Sequence, residues 1–403
     1  MNKTNISLVA ACALSLSAFA ARTGPWPKER AWDWYGRQPW MRGCNYLPAS
    51  AANFADMWQE LGSEERFREM DAEFALAENT GFNVMRLIIH EQGFGIWLAD
   101  HDGFMARFER WLALMDKHGI RAIVVLGNDC SRPKEMWKLP TPGVQHYEWG
   151  YHGGRRLTQH GSFPDAVGYT VLDDPELNPR FFRMCEELVS KYRADGRIAF
   201  WNLWNEPGNA NRGPLTMAHL RKLFEMCWKI DPIQPLAADV WTEGYGMGLP
   251  AGLKADKYQT AREEVQKLAG ELSDIISYHC YQPYERQVTL IRELNRFYGR
   301  PLVNTEWLAR TLGCNVTDCY PLFWLEKVGA VNWGLVAGKY QTYEPHEPMW
   351  AMIEKGGGRD WDMTKWFHDL FRPSHHPYDP KEIDLIRRFN KLAGEDFANK
   401  MDE

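Results

Sequence analysis

The sequence predicts an α/β protein folded as a single (β/α)8 TIM barrel, with long loops after strands 3 and 8. Two observations predict it. Eight short apolar runs of strand length alternate with stretches whose apolar residues recur at helical spacing. No linker and no residue-level repeat interrupts them, so one domain from about residue 25 to residue 400 is the simplest reading. A doubly wound open sheet is the structural alternative.

The eight runs are 40–47, 82–89, 121–127, 198–204, 235–241, 274–280, 301–307 and 330–336. After the first, Phe67, Met70, Phe74 and Ala77 form a stripe, with Ser63 as N-cap and Gly81 as stop. After the second, Phe104, Phe108, Trp111, Leu112 and Met115 repeat the pattern up to Gly119. After the third, Asp174-Pro175 opens a helix carrying Phe181, Cys185, Leu188 and Tyr192. Leu220, Leu223 and Cys227 follow the fourth strand, and helices over 256–271, 285–298 and 318–327 follow the next three. The last helix has Asp379 as cap, Pro380 in its first turn, a stripe of Ile383, Ile386, Phe389 and Leu392, and Gly394 as stop. Two connections are long, about 128–174 and 337–378. Trp137, Tyr147, Trp149, Tyr151 and Tyr169 in the first, and Tyr340, Tyr343, Trp350, Trp361, Trp366 and Phe367 in the second, argue against disorder.

Composition narrows the function. A net charge of −6 gives no basic footprint for nucleic acid. The 19 Trp suit a core, and they also suit sites that stack on sugar faces. Lys3, an apolar run from Ile6 to about Ala20 and an A-x-A-like "AFA" read as a secretory signal peptide over residues 1–20, cleaved before Ala21. "VAAC" at Val9–Cys12 also resembles a lipoprotein box, but the apolar run continues past Cys12. The expected location is therefore secreted or periplasmic, with no stable membrane insertion, since no later segment has the ~18 apolar residues of a span. Cys44, Cys130, Cys185, Cys227, Cys280, Cys314 and Cys319 are an odd, scattered set rather than a disulfide framework, although Cys314 and Cys319 could bridge one loop. No CxxC pair and no HExxH occurs, so no metal and no cofactor is expected. "GYGMG" at Gly244–Gly248 lacks phosphate-loop spacing, and His375-His376 reads as a solvent-facing loop.

In a barrel the catalytic groups sit at the C-terminal strand ends. Those ends carry Asn45 and Tyr46, Arg86 and His90, Asn128 and Asp129, Asn205 and Glu206, Trp241 and Glu243, His279 and Tyr281, Glu306, and Trp333. Glu206 and Glu306 close strands 4 and 7. Glycoside hydrolysis uses such a pair, one acid to protonate the leaving oxygen and one carboxylate to attack the anomeric carbon. The attacking group must stay ionised, and Arg86 nearby would lower its pKa. The acid must start protonated, so its pKa should be raised. Each remaining residue also has a plain reading. Asn45 would form a turn, Asp129 and His90 would tie loops, and His279, Tyr281 and Trp333 would be satisfied core residues.

Given "WNEP", "VNTEW" and "YHCY", the chain resembles the clan A glycoside hydrolases, especially the cellulase-like family 5. The resemblance covers most of the mature chain. It implies Glu206 as acid/base, Asn205 as donor to the sugar 2-hydroxyl and Glu306 as nucleophile. It also implies His279 near the acid/base, Tyr281 hydrogen-bonded to the nucleophile, Arg86 holding that nucleophile ionised, and Trp333 under the sugar in subsite −1. Asn128-Asp129 departs from the histidine the family often has at the end of strand 3. The ending "KWFHDLFRPSHHPYDPKEIDLIRRF" resembles uncharacterised secreted proteins labelled xylanases. The function expected is a retaining β-glycosidase or glycanase acting on a carbohydrate substrate, with exo or short-oligosaccharide action favoured because aromatic loops narrow the mouth. Asn45, Asp129 and Trp241 complete the expected substrate contacts. Two other classes stay open. One is a non-catalytic carbohydrate-binding barrel. The other is a metal-dependent barrel hydrolase built on His279, Asp129 and His90, which would need an early His-x-His pair that the chain lacks.

Overall fold

The structure, a computed structural model, describes residues 22–146, 152–154, 166–241, 259–358 and 360–402. The expected leader, Tyr147, Trp149, Tyr151, Glu243 and the Gly244–Gly248 turn lie outside those residues. Eight parallel strands close into a barrel in sequence order. They are β1 (Arg42–Asn45), β2 (Val84–Ile88), β3 (Arg121–Asn128), β4 (Ile198–Asn205), β5 (Leu236–Val240), β6 (Ile276–His279), β7 (Leu302–Glu306) and β8 (Gly329–Trp333). Almost every strand residue is buried, which is why the strands read as unbroken apolar runs.

The helices include α1 (Lys28–Gly36), α2 (Phe54–Trp58), α3 (Ser63–Thr80), α4 (His90–Ala99), α5 (His101–Lys117) and α6 (Leu177–Lys191). They continue with α7 (Pro214–Ile230), α8 (Gln259–Leu272), α9 (Tyr284–Tyr298), α10 (Val316–Leu325), α11 (Glu347–Glu354) and α12 (Pro380–Asp402). The striped helices fall where their periodicity places them. Gly81 ends α3 at φ 85°, a left-handed conformation that favours glycine. Ser63 is the first helical residue rather than the cap, which is Gly62. Gly394 does not stop α12. The helix runs on to Asp402, and Lys400 Nζ donates to Gly36 O at 2.6 Å, so a contact with the end of α1 outweighs the local cost of a glycine. Helices α1, α2, α4 and α11 are additions to the expected set.

The α1 segment has a clear purpose. Val84, Ile123, Phe200, Val303 and Val331, near the starts of their strands, form an apolar floor with Trp26. The Trp26 amide donates to Asp274 Oδ1 at 2.6 Å, and Arg22 donates to both oxygens of that buried carboxylate. At the other end, ladder partners set the level of the site. Asn45 pairs with Arg86 and with Trp333, Asn128 with Asn205, and His279 with Glu306.

Beside the barrel, Glu73 of α3 is fully buried and accepts from the Tyr46 hydroxyl. Burial pushes its carboxyl up to about 8. A carboxyl raised on folding contributes stability that is whole below its ordinary value and lost as pH rises through the folded value. Glu73→Gln should therefore flatten the fall in melting temperature between pH 5 and pH 8, a difference on the order of a few kcal/mol. Equal slopes for variant and wild type would refute this.

Candidate active site

Arg86 stands at the centre of the mouth, with a side chain that is fully buried. Its Nη1 donates to Glu306 Oε1 at 2.6 Å and to Asn45 Oδ1 at 2.8 Å. Its Nη2 donates to Asp239 Oδ2 at 2.7 Å and Asn205 Oδ1 at 2.6 Å. Both Nε and Nη2 reach Asn202 Oδ1, at 2.9 and 2.7 Å. A buried guanidinium is tolerated when every donor is paired, as here.

Two register shifts aim the other groups. The β4–β5 ladder slips between Asn202 and Trp204, so Asn202 and Asn205, three positions apart, both meet Arg86. The β6–β7 ladder slips between Tyr278 and His279. Such irregularities re-aim side chains at barrel rims. Glu206, just past β4, takes φ 46°, an unfavourable region for a side-chain-bearing residue. Its neighbours hold it there. Glu206 Oε2 accepts from Asn209 Nδ2 at 2.6 Å and Cys130 Sγ at 3.0 Å, and Oε1 lies 2.9 Å from His279 Nδ1. Trp241, half-buried, donates its indole N–H to Pro207 O at 3.0 Å and braces the same turn.

Glu306 accepts from the Tyr281 hydroxyl at 2.6 Å as well as from Arg86. An oxygen of Glu206, an oxygen of Glu306 and a ring nitrogen of His279 all lie within 4.8 Å of one another. This suits the roughly 5–5.5 Å carboxyl spacing of retaining glycosidases and not the ~6.5–9.5 Å of inverting ones.

The electrostatics depart from expectation. Burial pushes both glutamates up. At Glu206 the hydrogen bond and charge of His279, with Cys130 and Asn209, outweigh burial and bring the carboxyl below its ordinary value. At Glu306 burial and the like charge of Glu206 outweigh His279 and Arg86, and the carboxyl is raised. The expected order, acid raised and nucleophile lowered, is thus reversed in the free site. At Glu306 the cause is burial and the charge of Glu206, which His279 opposes; at Glu206 it is His279. Burial lowers the imidazole, but Glu306 and Asp239 outweigh that and hold it up to about 10, so a charged imidazole faces Glu206. Asp239, whose Oδ2 is 3.3 Å from His279 Nε2, is itself pushed up by burial yet held down to about 2 by Arg86 and His279.

Other expected residues fall differently. Asp129 is not at the mouth. It is completely buried and accepts from Arg212 Nε at 3.0 Å, Gly208 N at 2.6 Å and the Thr216 hydroxyl, so it fastens the loop after β4. Asn45 donates to Thr305 O at 2.7 Å while accepting from Arg86, which makes it a brace within the barrel. Asn205 Nδ2 donates to Asn128 Oδ1 at 2.8 Å. His90 packs its ring on Phe54, and burial lowers it to about 3. It does not gather with Asp129 and His279. Trp333 is 7% exposed, with His152 stacked on it at 5.1 Å and 16°.

Three features escaped the sequence reading. Asp239 was visible as the one acid inside "PLAADVW". Cys130 was visible only as a cysteine beside a strand end. The third is a trio, His152, His346 and His368, with ring nitrogens within 4.8 Å of one another. These and the Glu206–His279–Glu306 group are the candidate metal-ligating sets among the described residues. A cleft of about 460 Å³ is lined by Asn53, His90, Gln92, Asn128, Trp137 and Cys130, the last of which bonds Glu206.

No family model and no curated protein matches the chain. Solved structures do resemble it. The endo-β-1,4-mannanase from Thermotoga petrophila is 15% identical with a TM-score of 0.53, covering 89% of this chain and 77% of that one. The endo-1,4-β-mannanase from Rhizomucor miehei is 13% identical, TM-score 0.53, covering 88% and 95%. The exo-β-1,4-mannosidase Op5Man5 from Opitutaceae bacterium strain TAV5 is 13% identical, TM-score 0.50, covering 88% of this chain and 60% of that one. At such identities the likeness shows the shared (β/α)8 fold.

Asp239→Asn tests the charge arrangement. The charge on His279 contributes stability that is whole below the ordinary histidine value near 6.5 and lost as pH rises through about 10. The variant should lower the imidazole titration midpoint, read by NMR, by about one unit or more. It should also cost roughly 3–5 kcal/mol, because Arg86 loses a buried partner. An unchanged midpoint would remove Asp239 from this role.

Proposed function

We propose that the protein is a retaining β-glycosidase that cleaves β-linked oligo- or polysaccharide by double displacement. The observation that carries this is the Glu206–Glu306 pair at retaining distance, each carboxylate held by its own donors. Glu306 attacks the anomeric carbon. Tyr281 and Arg86 aim its two oxygens, and both oppose the rise that burial and Glu206 impose on it. Glu206 protonates the leaving oxygen, and His279 Nδ1, 2.9 Å away, is the nearest store of the proton it needs. Once Glu306 is esterified its charge is gone, and Glu206 accepts a proton from the incoming water.

The mouth supports exo or short-oligosaccharide action. In the barrel order β1 and β2 separate β3 from β8. Even so, His152, from the connection after β3, lies on Trp333 of β8, and Gly154 N donates to Pro345 O at 2.9 Å. Residues 152–154 therefore lie on that side of the mouth and cover the indole face that an open cleft would offer to sugar. Mannose is the first sugar to test, because several structural neighbours are mannanases or mannosidases. Export through the N-terminal leader belongs to the same proposal, and N-terminal sequencing of exported protein checks it.

Glu306→Ala should abolish turnover of an aryl β-glycoside, and azide should restore it with an α-glycosyl azide as product. Glu206→Ala should slow turnover by about 10²–10⁴, and azide should give the β-glycosyl azide. Azide products of equal configuration would contradict the assigned roles. Sugar affinity without turnover in the wild type would favour a non-catalytic binding barrel instead.

A further inference from the structure

The histidine trio lies outside the pair of glutamates and has no part in the double displacement. Its members come from far apart in the chain. His152 belongs to the connection after β3, while His346 and His368 belong to the connection after β8. Aromatic rings enclose them. Trp333 and Tyr340 lie 5.1 and 5.0 Å from His152, and Phe367 lies 4.7 Å from His346 and 4.4 Å from His368. The Tyr281 ring is 5.2 Å from His368.

The protons can be placed by elimination. His368 Nδ1 contacts Leu308 O, a carbonyl that can only accept, so Nδ1 carries the hydrogen. His368 Nε2 therefore presents a lone pair. It faces His346 Nε2 at 3.3 Å. Two nitrogens bound to a tetrahedral zinc at about 2.0–2.1 Å stand roughly 3.3 Å apart. A backbone carbonyl fixing the far nitrogen of a ligating imidazole is the usual support for such a metal. His152 Nδ1 is buried and has no hydrogen-bond partner among the described residues.

The placement of His152 is built rather than incidental. A Cβ on Gly153 would lie 2.4 Å from Glu344 O and 2.6 Å from Gln341 O, so only glycine lets this segment seat against the β8 connection. The Gly154–Pro345 hydrogen bond then fastens it.

We propose that His152, His346 and His368 bind one divalent cation of the zinc class, which clasps the connection after β3 to the connection after β8 beside the active-site mouth. Three imidazole ligands select a borderline metal over magnesium or calcium, which prefer oxygen. Three protein ligands leave a fourth position for water or a hydroxyl. The clasp would hold His152 over Trp333 and set the depth of the pocket.

The proposal does not rest on glycosidase activity, since its readout is metal binding. Full-length mature protein is stripped with chelator, then titrated with zinc chloride by calorimetry and with cobalt chloride by visible absorption. One zinc per chain and the strong d–d bands of tetrahedral cobalt are expected. His346→Gln and His152→Phe should each weaken zinc binding about 100-fold or more, and circular dichroism checks their fold. His152→Phe keeps a ring on Trp333 and removes only the nitrogens. Glu206→Gln should bind zinc as the wild type does. Zinc should raise the melting temperature of the wild type and not of His346→Gln. Sub-stoichiometric zinc in the wild type, or undiminished binding in both histidine variants, would overturn the proposal. Loss in Glu206→Gln alone would place the metal on the catalytic pair and overturn it equally.

Discussion

The mouth of this barrel depends on one buried cation. Arg86 meets side chains from β1, β4, β5 and β7, so a single guanidinium joins residues scattered from 45 to 306. Its charge is balanced chiefly by Asp239 and Glu306. Burying such a group without these partners would cost several kcal/mol. The same contacts that make the burial tolerable also fix where Glu306 points. Stability of the mouth and alignment of the Glu306 carboxylate are one requirement here.

His279 is the second constraint, and it acts through charge. Among Glu206, Glu306, Asp239, Arg86 and His279 there are three acids and two bases. With every acid ionised the group is one positive charge short of neutrality. Asp239 holds its charge firmly, so any further proton the group takes up belongs to the glutamate pair as a unit. Geometry then decides its place, because the imidazole bonds to Glu206 at 2.9 Å and stands 3.5 Å from Glu306. The free site is poised differently from the reacting one.

The strands were legible because both faces of a parallel barrel are covered, which leaves apolar runs such as "RAIVVLG" with no polar alternation. The striped helices were legible for the complementary reason. Helices α2 and α4 were not, since they are short, nearly wholly buried and show no polar face. Glu206 and Glu306 stood out by ending strands. Asn45 and Asp129 also sit at strand ends, yet their partners turn them into braces, and partners are not written in a strand's own residues. The histidine trio could not be read at all. Its spacings of 194 and 22 positions match no ligand pattern, and only the crossing of two long connections unites it.

The strap at the barrel floor bears on how the chain is processed. Asp274 is completely buried, and its carboxylate is shared by Arg22, the Trp26 amide and the Leu236 amide. Burial pushes that carboxyl up, and the charge of Arg22 is the largest influence opposing it. A protease that trimmed the chain past Arg22 would deprive this carboxylate of its ion pair, beneath a plug whose tryptophan is only four residues further on. Arg22 thus divides two outcomes: a cut ahead of it would keep this ion pair, and a cut behind it would remove it from the barrel floor.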